Sequence, residues 1–123
     1  VNLIAGEQEA YRSVDFLPSY STEDLAREMT KALDELKDCE GIIIFTDLMG
    51  GTPFNVAAQL GRDREDIRII AGTNLPMLVE IVMSRKFMED LDELTDSVLG
   101  TGKEQVIKYE FKQVVQEESE DGI

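Results

Sequence analysis

GIIIFTDLMGGTPFN, residues 41–55, is the stretch that decides the fold. Its apolar run, Ile42, Ile43, Ile44 and Phe45, lacks the alternation of a half-exposed strand and has the pattern of a strand covered on both faces. The run stops at Thr46 and Asp47; two glycines and Thr52 follow at once, and Pro53 suits the first turn of a helix. Strand, acid, glycines and helix start, in that order, are how α/β proteins build a phosphate site beyond the carboxyl end of a strand. An acid repels phosphate, so Asp47 needs another task.

Working outward, the chain keeps alternating strand and helix. YRSVDFLP (residues 11–18) predicts a short strand from the alternation of Val14 and Phe16. The next stretch, residues 19–38, predicts a helix with Leu25, Met29, Ala32, Leu33 and Leu36 on one face, ending near Cys39. Ser21 with Asp24 approximates a capping box and Tyr20 can staple onto Leu25. On the wet side Glu23 with Arg27, and Lys31 with Glu35, are favourable pairs. After Pro53, the residues Phe54, Ala57, Ala58 and Leu60 form a buried stripe that ends near Gly61. IRIIAGTN (67–74) reads as a second buried strand leading into a turn, and LPMLVEIVMSR (75–85) as a helix with Leu75, Leu78, Val79 and Val82 inward. A further helix is expected from about Phe87 to Leu99, and EQVIKYEF (104–111) alternates as a half-exposed final strand. LIAG (3–6) reads as a helix end closed by Gly6. The order β-α-β-α-β-α-α-β with short connections predicts an α/β fold with a mostly parallel central sheet, right-handed crossovers and helices on both faces.

Composition narrows the function. A chain of 123 residues, 42% hydrophobic and 31% charged, is one soluble domain; residues 1–112 carry it and 113–123 form an acidic tail. The net charge of −14 argues against nucleic acid, whose binding rests on lysine and arginine at phosphates. It can steer a basic protein partner, although solubility alone is the simpler reading. A single cysteine, Cys39, permits no internal disulfide and suits the cytoplasm. There is no apolar run of about 20 residues, so no membrane span is predicted. The sequence has no nucleotide P-loop, no dinucleotide fingerprint, no zinc-binding cluster and no histidine for a serine triad; no metal or cofactor is expected.

At the strand tips the residues can be taken singly. Thr52 falls in the N-cap position, and the free amides of this helix start, with Gly50 and Gly51, can embrace an anion. The Thr52 hydroxyl either caps the helix or donates to a phosphoryl oxygen. Asn55 can hold the loop in shape. Asp47, at what the pattern gives as a buried strand end, needs a partner, and its task is to orient a donor: a histidine ring held on one nitrogen so that the other faces phosphorus fits. In the second loop, GTNLPM (72–77), Asn74 either caps its helix or offers its amide to a ligand, with Pro76 and Met77 beside it. Asp47 and Asn74 close consecutive strands, which places one site at both.

FTDLMGGTPFNVAAQL, IIAGTNLPMLVEIVM and SVDFLPSYSTEDL resemble the enzyme IIA components of the mannose family in the bacterial phosphoenolpyruvate-dependent sugar phosphotransferase system. The likeness runs from about Leu3 to Phe111. It implies a cytoplasmic phosphotransferase that accepts a phosphoryl group on histidine from the carrier HPr and passes it to a IIB subunit for sugar uptake, meeting the membrane only through the permease complex. Within that likeness Asp47 bonds the histidine, while Thr52 and the amides around Met49, Gly50 and Gly51 receive phosphoryl oxygens. Met49 stands where the family usually has an aromatic residue. The chain contains no histidine, and the likeness places the first strand, the histidine loop and most of the first helix upstream of Val1. That strand would lie between the strand at Val14 and the strand at Ile43. The family also implies a homodimer in which the last strand, here 104–111, is antiparallel and exchanged. Alternatives are the phosphoryl-donor subunit of a dihydroxyacetone kinase, a receiver-like regulatory module, or a non-catalytic relative.

Overall fold

In a computed structural model, the structure describes residues 9–111. Helix α1 (Thr22–Glu35) is followed by β1 (Ile42–Phe45), α2 (Thr52–Gly61), β2 (Ile67–Ile70), α3 (Leu75–Ser84) and α4 (Leu91–Glu104). The two strands pair in parallel, Ile42 opposite Ile67 and Phe45 opposite Ile70. Helices cover both faces, as the unbroken apolar strands require. On one face Ile43 and Phe45 pack under Met77, Ile81, Val82, Leu94 and Val98 of α3 and α4. On the other, Ile44 and Ile69 pack under Leu25 and Met29 of α1 and Val56 and Ala57 of α2. The period of two along each strand sends successive side chains to these two cores. None of the described helices is long and apolar enough to cross a membrane.

Helix α1 starts as the sequence predicts. The Ser21 hydroxyl accepts from the Asp24 amide and the Asp24 carboxylate accepts from the Ser21 amide, a closed capping box that stabilises the helix by about 1 kcal/mol. Those bonds hold the Asp24 carboxyl below its usual range. Its outer face pairs differently from expectation: Arg27 reaches Asp24 and Glu35 is taken by Arg12. The helix gives way to turns after Glu35, short of Cys39.

Other corrections are physical. In α3, Val82 is buried as expected and Leu78 and Val79 are half-buried, but Leu75 is exposed and the other buried positions are Met77 and Ile81. Helix α4 begins four residues later than predicted and passes through Gly100 and Gly102 to Glu104. Asp90 sets that start by accepting from the Glu93 amide. Neither 11–18 nor 104–111 forms a strand. A strand exists only as a pairing, and among the described residues nothing lies alongside either to complete one. The expected helix end at 3–6 and the acidic tail lie outside the described residues.

The molecule has two ends. Short connections place Asp47 and Gly72 at the tip of the sheet, with Gly41 and Asp66 at its base. Segment 12–17 runs from base to tip alongside α1, since Arg12 holds Glu35 in the last turn of that helix and Leu17 leads to its cap at Ser21.

Candidate functional site at the strand tips

The two strand tips are tied together beyond the end of the sheet. The Thr46 amide donates to the Ile70 carbonyl at 2.8 Å. The Thr46 carbonyl in turn accepts from the Thr73 amide at 3.1 Å and from the Thr73 hydroxyl at 2.7 Å. Thr46 is buried, so the residue before Asp47 is fixed by the neighbouring loop. Thr46 and Thr73 escaped sequence analysis; the only available signal was a hydroxyl residue directly after β1 and another three residues after β2.

After Asp47 the chain turns through Leu48, Met49 and Gly50. Gly50 has a φ of +84° and open space where a side chain would stand, a conformation suited to glycine. Asn55, one turn into α2, donates its side-chain amide to the Gly50 carbonyl at 3.1 Å, which holds the loop against the helix. Gly51 is the N-cap, with no side chain to cap with, and Pro53 sits in the first turn. Thr52 is therefore the first helical residue rather than the cap. Its hydroxyl has no hydrogen-bond partner among the described residues, and neither does the Asp47 carboxylate. Asp47 is exposed rather than buried, so its carboxylate carries no burial cost for lacking a partner. A carboxylate, a free hydroxyl and the start of a ten-residue helix are thus neighbours in the chain at the tip.

The second loop is built differently. Asn74 is fully used in structure: its side-chain oxygen accepts from the Met77 amide and its nitrogen donates to the Gly102 carbonyl of α4. Met77 is buried against Gly102 in the α3 and α4 core, away from the tip. Pro76 is half-buried in the first turn of α3. Of the second-loop residues singled out in the sequence, Asn74 shapes the site's wall and Met77 does not reach it.

Beside β1 lies a cavity of about 540 Å³. One wall is segment 10–16 and the opposite wall is the edge of β1 that does not face β2. Its floor and roof come from both cores, Leu25 and Met29 on one side, Ile81 and Leu94 on the other. It lies in the plane of the sheet, and its lining reaches Asp47, Pro53 and Thr73 at the tip. At its base the Arg85 guanidinium donates to the carbonyls of Glu9 and Ala10.

The family model described as "PTS system fructose IIA component" matches residues 1–99. The chain belongs to this EIIA-man family. Among the relatives of this EIIA-man chain is the "PTS system mannose-specific EIIAB component" of Escherichia coli (strain K12), 37% identical over 112 residues, 91% of this chain and 35% of that protein. The "PTS system sorbose-specific EIIA component" of Lacticaseibacillus casei is 33% identical over 88 residues, 72% of this chain and 63% of that protein. The chain spans about a third of the length of the mannose-specific relatives it matches. Among solved structures, the phosphotransferase system component EIIA from Streptococcus agalactiae superposes with a TM-score of 0.78 at 36% identity, covering 87% of this chain and 82% of that one. The PTS IIA protein associated with the fucose utilization operon of Streptococcus pneumoniae gives 0.72 at 26% identity, over 93% and 82%. The EIIA-man assignment and the α/β architecture agree.

Proposed function

We propose that this chain is the phosphoryl-carrying part of a sugar phosphotransferase system. It takes the group from HPr on a histidine and passes it to a IIB subunit, working in the cytoplasm as a homodimer. The histidine is carried by a strand preceding Val1 that occupies the cavity beside β1. The observation that carries this reading is the cavity itself. It lies in the sheet plane and is roofed by apolar side chains on both faces, as a buried parallel strand requires. It ends at Asp47, so the last residue of a strand lying in it, parallel to β1, arrives beside a free carboxylate.

The chemistry follows from the groups at the tip. Asp47 accepts the N–H of one imidazole nitrogen and fixes the ring, leaving the lone pair of the other aimed outward. That nitrogen attacks the phosphorus of the donor's phosphohistidine; the new P–N bond forms as the donor's P–N bond breaks, and the donor leaves as free imidazole. Asp47 stabilises the positive charge the ring gains. The start of α2, with the Thr52 amide and hydroxyl, faces the phosphoryl oxygens, where fixed dipoles stabilise charge most effectively; the Gly51 amide is spent on the Leu48 carbonyl. The group departs to IIB by the reverse arrangement.

The test uses the full-length protein with phosphoenolpyruvate, enzyme I and HPr. One phosphoryl group per chain should be taken up, lost in acid and kept in alkali. Asp47→Ala should slow uptake while leaving the unfolding transition in place. An unchanged rate in that variant removes Asp47 from the mechanism, and an acid-stable product removes the histidine.

A further inference from the structure

We infer that Thr73 is a positioning residue for phosphoryl transfer: its hydroxyl grips the Thr46 carbonyl and so sets where Asp47 stands against the ring. The inference rests on the phosphoryl-carrier reading above and adds to it a residue of the second tip loop. Asp47 has no means of placing itself. Its carboxylate is exposed and has no hydrogen-bond partner among the described residues. The paired strands stop short of it, with Phe45 opposite Ile70 as the last partners. Its position is therefore decided by the backbone just before it.

That backbone is held by Thr73. The Thr46 carbonyl lies in the same rigid plane as the amide nitrogen and Cα of Asp47, so whatever fixes that oxygen fixes the root of the carboxylate. Two bonds hold it, and both come from one residue: the Thr73 amide donates at 3.1 Å and the Thr73 hydroxyl at 2.7 Å. A carbonyl has two lone pairs, and this pair of bonds uses both. Any residue except proline would supply the amide; the shorter bond needs a hydroxyl. The Ile70 carbonyl lies 3.4 Å from the same hydroxyl, too far to compete for its one proton.

Thr73 is itself anchored. Before it, Gly72 turns the chain with a φ of +69°, a conformation that glycine adopts without strain. After it, the Asn74 side chain is tied to the Met77 amide and to the Gly102 carbonyl of α4. The hydroxyl is thus a fixed point backed by two helices. Thr73 also lines the cavity beside β1 together with Asp47, so loss of its grip is felt where the ring arrives. Transfer is sensitive to such loosening, since misplacing a reacting group by about 1 Å can cost about a hundredfold in rate. With one bond of two removed the carbonyl stays partly held, and a loss of about tenfold is expected.

The test is phosphoryl uptake by the full-length protein from phosphorylated HPr. Thr73→Val keeps the shape and the backbone amide and removes only the hydroxyl. Its kcat should fall about tenfold with KM for the carrier unchanged, and Thr73→Ala, a second variant without the hydroxyl, should lose the same factor. Thr73→Ser should recover most of kcat. In an Asp47→Ala background Thr73→Val should slow uptake no further, because a group that acts through Asp47 has nothing left to act on. A wild-type kcat in both hydroxyl-free variants overturns the positioning role and leaves the carrier reading standing. So does a fall that persists undiminished without Asp47, which makes Thr73 a structural group, and so does a rise in KM at constant kcat. A wild-type protein that accepts no phosphoryl group overturns the carrier reading and this role with it.

Discussion

Two glycines two residues apart in α4 pose the same backbone question in different surroundings. Replacing either by alanine removes the helix penalty of glycine, about 1 kcal/mol. At Gly100 an added Cβ meets nothing within 4 Å. At Gly102 it falls 2.5 Å from the Met77 Cγ and 3.0 Å from its Sδ, far inside ordinary contact. Met77 is buried in the α3 and α4 cluster, so rotating its Cγ away would drive the side chain into other packed groups. Overpacking of this kind costs about 1–3 kcal/mol. Gly100→Ala should therefore stabilise by up to about 1 kcal/mol, and Gly102→Ala should destabilise by about 0–2 kcal/mol once the same gain is subtracted. Urea unfolding of full-length variants measures both. In a Met77→Ala background the clash is gone, and Gly102→Ala should become as favourable as Gly100→Ala. The cycle should then return a coupling of about 1–3 kcal/mol. Equal shifts for the two glycines in the wild-type background, or a coupling below about 0.5 kcal/mol, would refute the close approach of α3 and α4 at this point.

Two further outcomes concern acid and the tip loop. Arg64 holds the Asp66 carboxyl, and Arg68 the Asp92 carboxyl, below the ordinary value of 3.8. A carboxylate whose folded pKa is lowered contributes stability that is present above its unfolded pKa and fades as the pH falls through the folded one. Stability should therefore drop below about pH 4, and Arg68→Met should flatten part of that slope in melts between neutral and acid pH. Asn55→Ala removes the bond to Gly50; phosphoryl uptake should slow, while stability, measured by the same melts, should change by less than about 1 kcal/mol because the bond is exposed.

What the sequence makes legible here follows from local signals. The unbroken apolar runs at Ile42 and Ile67 predict buried strands, and Ser21 with Asp24 predicts a helix start, because pattern and cap are written in adjacent residues. Asp47, Gly50, Gly51, Thr52 and Asn55 come together at the tip because they are neighbours in the chain. Tertiary relations are harder to read. Nothing local says that Gly100 and Gly102 stay helical, since Gly102 is tolerated where Met77 presses against it. Segments 11–18 and 104–111 carry strand periodicity, yet periodicity supplies only half of a pairing. Thr52 and the cap differ by one residue, which is the distance at which turn chemistry stops discriminating: glycine and threonine are both acceptable N-caps. The exposed position of Asp47 inverts the expected burial because β1 ends at Phe45 and burial stops with Thr46, one residue before it.

The two-ended layout of the molecule has a practical corollary. The turn between α2 and β2, where Arg62, Asp63 and Glu65 are exposed, stands at the far pole from the reactive loops. A fluorophore, spin label or surface tether attached at Asp63 would leave both tip loops unobstructed, making that turn the natural handle for watching a partner arrive and leave one molecule at a time.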